Sequence, residues 1–234
     1  MPDTIAPAVR DRLALALDTD DLVDALRTAR DLEPWFAVAK VGLELFSATG
    51  PEVVTALVER GWKVFLDLKL HDIPNTVGRS ARVLGALGAS YLTLHAHGGV
   101  AMLRAGVDGL LTGAEQAGLE SPAAIAVTVL TSDDGVPPHI LGKRVATALE
   151  GGCSGIVCSA SDVREAKQLA PRLFAVVPGI RLAGTDQHDH ARSSTPEEAI
   201  IAGADLLVVG RAVTGARDRV AAAALVAGAV QSAS

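Results

Sequence analysis

Aromatic side chains make up only 3% of this chain, with one tyrosine, two tryptophans and four phenylalanines in 234 residues. A core of ordinary size must therefore be built from Ala, Val and Leu, as the interiors of parallel sheets commonly are. Cysteine is almost absent. Cys153 and Cys158 flank Ser-Gly-Ile-Val with no second pair to suggest zinc, so they read as reduced thiols in or beside a buried strand. An excess of positive charge is missing too: the net charge is −6. That argues against nucleic acid or an anionic membrane as the main partner, though not against a phosphorylated small molecule, which needs only local positive charge. No long apolar run exists; the longest, Val220 to Val230, is Ala-rich and too short to span a bilayer. Met1 to Arg12 holds no apolar stretch fit for a signal peptide. No segment has the composition of an interdomain linker. The expectation is one cytoplasmic domain covering residues 1–234.

What is present is an alternation. Short apolar runs read as strands at Leu13–Leu17, Phe36–Val41, Val64–Leu68, Tyr91–Leu94, Ala124–Val129, Gly155–Cys158, Phe174–Val177 and Leu206–Val209. Helix-like stretches lie between and after them: Asp21–Leu32, Thr49–Arg60, Thr76–Leu87, Val100–Ala117, Lys143–Glu150, Ser161–Leu169, Pro196–Ala202 and Val213–Gln231. Eight strand–helix units in this length predict an α/β fold, a single-domain (β/α)8 TIM barrel. A doubly wound open sheet would need a Gly-rich turn after its first strand. Here that strand ends Leu17-Asp18-Thr19-Asp20, with no glycine.

Barrel enzymes place their chemistry at the carboxyl ends of the strands. Polar residues gather there repeatedly: Asp18, Lys40, Asp67 and Lys69, His95 and His97, Thr131 and Ser132, Arg181, and Gly210 with Arg211. The segment Asp67-Leu-Lys-Leu-His-Asp-Ile-Pro-Asn-Thr76 is the most informative. In an extended strand alternate residues share a face, so Asp67 and Lys69 point one way while Leu66, Leu68 and Leu70 point the other. Opposite charges side by side at a strand end are costly unless they form a network or do chemistry. Lys40, Asp67, Lys69 and Asp72 alternate in sign, and in a compact array mutual attraction would keep each ionised. A fixed ammonium can stabilise a carbanion and then protonate it. A neighbouring carboxylate would repel an anionic substrate group and favour its loss as carbon dioxide. The bland alternative is an ion-pair network tying strand ends together.

Val208-Val209-Gly210-Arg211 ends the last strand ahead of a helix, where barrels often bind phosphate through backbone N–H groups and a guanidinium. The polar loop from Arg181 to Thr195, with Gln187, His188, His190 and Arg192, has the length and composition of a lid. Histidines there could bind a metal, but no rigid spacing presents them. His95 and His97 read as structural groups at the barrel mouth, and His71 as a packing or capping residue facing away from Lys69.

The strand-3 segment resembles the signature of the orotidine 5′-phosphate decarboxylase family. The resemblance extends over Leu15-Ala-Leu-Asp18, Lys40-Val-Gly42, Val127-Thr-Val-Leu-Thr-Ser132, Val177-Pro-Gly-Ile-Arg181, Thr195-Pro196 and Val209-Gly-Arg211. Asp-x-Lys-x-x-Asp is shared with related sugar-phosphate decarboxylases and synthases; Ile73-Pro74-Asn75-Thr76 picks out the orotidylate enzyme. The resemblance implies a cofactor-free, metal-free decarboxylation of orotidine 5′-phosphate to UMP, the last step of de novo pyrimidine synthesis. Lys69 would protonate C6, with Asp67 against the substrate carboxylate. Lys40 would hold Asp67 and a ribose hydroxyl, and Asp18 would also bind ribose. Asp72, Ile73 and Thr76, with Asn75 beside them, would reach the site of a second copy, giving a homodimer with shared active sites. Thr131 would contact the pyrimidine, Pro178 would adjoin the site, and Gly210 and Arg211 would hold phosphate. Arg181 would begin the closing loop, in which counting without gaps puts His190 where the family has glutamine, with Gln187 as the alternative if the loop folds differently. Two alternatives stay open: a magnesium-dependent 3-keto-gulonate 6-phosphate decarboxylase or hexulose-phosphate synthase, and a non-catalytic nucleotide-binding barrel.

Overall fold

Successive residues of a strand point to opposite faces, and this alternation sorts the mostly apolar side chains of the strands into two layers. A computed structural model of the chain describes residues 5–130, 136–137, 139–182 and 193–234. Eight strands close into a parallel barrel in sequential order: β1 (Leu13–Leu17), β2 (Val38–Gly42), β3 (Lys63–Leu70), β4 (Ala89–His95), β5 (Ala123–Val127), β6 (Gly155–Val157), β7 (Phe174–Val177) and β8 (Leu206–Val209). Closure is made by β1 against β8, with Leu13 opposite Leu207 and Leu15 opposite Val209. The predicted TIM barrel is the observed fold.

Ala14, Ala16, Val38, Phe65, Ile125, Val176, Leu206 and Val208 fill the inside of the barrel. The other parity (Leu13, Leu15, Leu17, Ala39, Val41, Val64, Leu66, Leu92 and Leu94) packs outward in the larger core beneath the helices. Toward the amino ends of the strands Tyr91 stacks on Phe174 at 5.9 Å and meets Phe65 edge-on, also at 5.9 Å. Continuing the inward parity toward the carboxyl ends leads from Ala14 and Ala16 to Asp18, from Val38 to Lys40, and from Phe65 to Asp67 and Lys69. Pleat geometry alone therefore aims these charges into the mouth.

A short turn, α1 (Pro7–Arg10), precedes the barrel. The surrounding helices are α2 (Leu22–Leu32), α3 (Leu43–Thr49), α4 (Glu52–Val58), α5 (Pro74–Ala86), α6 (Gly99–Gln116), α7 (His139–Glu150), α8 (Ala160–Leu169), α9 (Pro196–Ala202), α10 (Arg211–Thr214) and α11 (Arg219–Ala233). Two differ from the sequence expectation. The helix predicted over Thr49–Arg60 is shorter, with α4 starting only after Pro51, and it is preceded by the unpredicted α3, which ends where Gly50 adopts φ +61°. The helix predicted from Val213 is also split, because α10 stops at Gly215 and Asp218 starts α11 by accepting the Ala221 N–H. The Ala-rich run lies in α11, where Ala222, Ala223, Val226, Ala227 and Val230 are buried. Among the described residues no helix is long and apolar enough to cross a membrane.

α5 and α6 pack unusually closely. A Cβ on Gly85, Gly109 or Gly113 would stand 2.2, 2.1 or 1.9 Å from the carbonyl oxygens of Leu110, Gly78 and Arg82 respectively. Only glycine permits that backbone approach, which sets the helix after β3 against the one after β4.

Candidate active site

Lys40 comes from β2, and its ammonium lies 2.9 Å from Asp18 Oδ1 and 4.0 Å from Asp67 Oδ2. The same Asp67 oxygen is 2.8 Å from Lys69 Nζ. Asp18, Lys40, Asp67 and Lys69 thus form one alternating chain of charges across the ends of three adjacent strands. Lys40 is only 8% exposed, so its charge is viable because carboxylates flank it. Gly42 is one reason the amine fits: a Cβ there would come within 3.1 Å of Lys40 Nζ.

Asp67 and Lys69 lie within β3 rather than beyond it, since the strand runs to Leu70. The strand is irregular there. Leu66 pairs with Leu92 and Leu70 with Leu94, so four steps along β3 match two along β4. Lys69 absorbs the difference at φ +50°, the only non-glycine residue among those described with positive φ. Such a conformation costs on the order of 1–3 kcal/mol and persists only where its surroundings hold it. Simple pleat alternation placed Lys69 on the correct face but did not reveal this bend.

The charges line an open cavity of about 270 Å³. Lys40, Asp67 and Lys69 occupy one side; Val127, Val129, Leu130 and Val157 form an apolar wall. Pro178, Arg181, Gly210 and Arg211 complete the rim, so the strand-7 and strand-8 ends meet the charge chain at one mouth. The loop after β7 is pinned at its stem: the Arg181 N–H donates to Ser194 O at 2.9 Å and the Ser194 N–H to Gly179 O at 3.3 Å. Thr131, Ser132, Gln187, His188, His190 and Arg192 lie outside the described residues.

Asp72 departs from the predicted array. It is exposed, does not line the cavity, and its Oδ1 accepts the Ile73 N–H at 2.6 Å. Ile73, Asn75 and Thr76 are exposed beside it, Ile73 at 65%. Within one chain the array has four members, Asp18 in place of Asp72, because the turn into α5 carries Asp72 away from the mouth.

His71, His95 and His97 gather beside the site without lining it. His71 lies 5.5 Å from the His95 ring and 5.6 Å from the His97 ring, and His95 Nδ1 accepts the His97 N–H at 3.3 Å. Burial, reinforced by His71, Arg144, His97 and Lys69, pushes His95 down to about 4. Arg144 itself donates to the Thr128 carbonyl. Burial pushes both thiols, Cys153 and Cys158, up to about 12, which makes them inert. Among the described residues no group of three or more His, Cys, Asp or Glu could hold a metal ion.

A profile of the family described as "Orotidine 5′-phosphate decarboxylase / HUMPS family" matches residues 11–226. The chain belongs to that family. It is 39% identical to the orotidine 5′-phosphate decarboxylase of Moorella thermoacetica over 99% of this chain and 96% of that protein. It is 44% identical to the one from Anaeromyxobacter sp. strain K over 93% and 97% respectively. Among solved structures, the orotidine 5′-phosphate decarboxylase of Lactobacillus acidophilus superposes with a TM-score of 0.80 at 34% identity, covering 94% of this chain and 99% of that one. Membership rests on nearly the whole barrel, not on the strand-3 segment alone.

Sequence reasoning missed Thr93. Its hydroxyl lies 3.1 Å from Asp67 Oδ1 and accepts the Lys69 N–H at 2.8 Å. Threonine is common in strands, and only the inward parity it shares with Tyr91 hinted at a position below the charges.

Proposed function

We propose that this protein decarboxylates orotidine 5′-phosphate to UMP and carbon dioxide without a cofactor. The observation that carries the reading is the unbroken chain Asp18–Lys40–Asp67–Lys69 facing an apolar wall across one cavity. Loss of carbon dioxide from a pyrimidine ring leaves an electron pair in the ring plane, where π delocalisation helps little. A fixed ammonium is then the simplest stabilising group. Lys69 faces the nascent carbanion and transfers a proton to C6; solvent returns the proton to the amine. Asp67 stands against the scissile carboxylate, so the C–C bond breaks with loss of a neutral molecule and relief of repulsion. Lys40 holds Asp67 in place and, with Asp18, meets the ribose hydroxyls.

Gly210 N–H and Arg211 take the phosphate, and Pro178 and Thr131 adjoin the base. Contacts to the distant phosphate can be used to orient the ring for reaction. Against a shared cation at Asp18 and Asp67 stands the Lys40 ammonium, which already occupies the space between them. Asp72, Ile73, Asn75 and Thr76, exposed on the turn into α5, serve the site of a second copy, making the working unit a homodimer.

Purified protein should turn over orotidine 5′-phosphate in EDTA at the rate seen without it. Activity abolished by the chelator would favour the magnesium-dependent sugar-phosphate reading, and UMP binding without turnover a silent barrel. Mixing inactive Lys69→Ala and Asp72→Ala chains should restore activity through hybrid dimers; no recovery despite confirmed subunit exchange would defeat the shared site.

A further inference from the structure

We infer that Thr93 is a positioning residue that holds the Asp67–Lys69 pair in its working geometry. The inference rests on the decarboxylase reading for its kinetic consequence and on the strand geometry for its structural one. Thr93 is fully buried in β4, beneath the charge chain, and does not line the cavity, so it does not touch substrate. A hydroxyl carries one proton and two lone pairs, and both kinds of capacity are used on the pair. A lone pair takes the Lys69 N–H at 2.8 Å; the proton goes to Asp67 Oδ1 at 3.1 Å, with the Leu66 carbonyl farther off at 3.5 Å.

The strand irregularity explains why a side chain is needed. Residues 67–69 of β3 stand opposite Thr93 alone, because the regular pairing resumes only at Leu70 and Leu94. The Lys69 N–H is therefore out of register with the β4 backbone, and at φ +50° it finds the Thr93 hydroxyl instead. The same hydroxyl steers Asp67 by one oxygen, leaving Oδ2 for the Lys69 ammonium at 2.8 Å. One buried group thereby sets the backbone of the proton donor and the carboxylate plane of its neighbour.

Thr93→Val keeps the side-chain shape and removes both bonds, whereas Thr93→Ser keeps both. In a decarboxylation assay the valine variant should lose tenfold to a hundredfold in kcat, with KM within about threefold of wild type. The serine variant should retain kcat within about threefold. Hydrogen–deuterium exchange of a peptide spanning residues 66–71 should accelerate in the valine variant and not in the serine variant. If valine does not fold, as judged by thermal melting, Thr93→Ala is read in the same way. Wild-type kcat in a folded valine or alanine variant, an equal loss in serine and valine, or unchanged exchange in the valine variant would each overturn the inference. A wild-type protein that never turns over substrate would count against the decarboxylase reading instead, and the exchange arm would still decide the role of Thr93.

Discussion

Replacing Lys69 by methionine removes the ammonium while keeping a side chain of similar length and apolar body. In the native chain that ammonium stands 2.8 Å from Asp67 Oδ2, with the lysine side chain about one-third exposed and the aspartate less so. A charge about 4 Å from a developing carbanion contributes roughly 4 kcal/mol at the effective dielectric of about 20 that suits partly solvated sites. At 1.36 kcal/mol per factor of ten, that is about a thousandfold in rate. Loss of the proton donor itself removes a further factor of roughly 10²–10⁴, and because one group supplies both effects they do not simply multiply. The expected result is a kcat at least a thousandfold lower, followed by the absorbance change as orotidine 5′-phosphate is consumed. UMP affinity should fall far less, because the phosphate and ribose contacts remain. A folded Lys69→Met protein within tenfold of wild-type kcat would refute the reasoning.

Other perturbations test the scaffold. Gly113→Ala would place a Cβ 1.9 Å from Arg82 O, a rigid backbone atom, and should lower stability by at least about 1–3 kcal/mol, visible as a reduced Tm; an unchanged melt would show that α5 and α6 can separate freely. Gly228→Ala has open space and lies in α11 on an exposed face, so it should raise stability by about 0.5–1 kcal/mol. His95 titrates near 4 when folded and near 6.5 when unfolded, so the unfolded chain takes up the proton first. Stability from this residue is present above about pH 6.5 and is lost as pH falls toward 4; His95→Gln should show a smaller drop in Tm between pH 7 and pH 5 than wild type, and parallel drops would contradict the assignment.

Much of this was legible in the residues themselves. The eight strands follow from short apolar runs, and strand parity was enough to aim Lys40, Asp67 and Lys69 inward with Val38 and Phe65. What parity could not reveal is where the ladder breaks: Lys69 at φ +50° and the matching of residues 67–69 to Thr93 depend on β4, which pairs with β3 only in three dimensions. Asp72 lies apart from the charge chain of its own protomer, because the turn into α5 carries it outward, and charge alternation along the sequence does not say whether a residue serves its own chain or a second copy. Gly50-Pro51 is the kind of pair that ends one helix and begins another, and it separates α3 from α4. The glycine contacts between α5 and α6 carry no periodic signal, because glycine marks close approach only once a partner backbone is known.

The central claim is that the Lys69 ammonium, held by Asp67, faces the carbon that loses carbon dioxide. A crystal structure with bound UMP tests it most directly. Lys69 Nζ should lie within about 3–3.5 Å of pyrimidine C6, the approach distance of reacting atoms, with Asp67 Oδ2 still in contact with the amine. An amine turned out to bulk solvent while UMP occupies the cavity would contradict it.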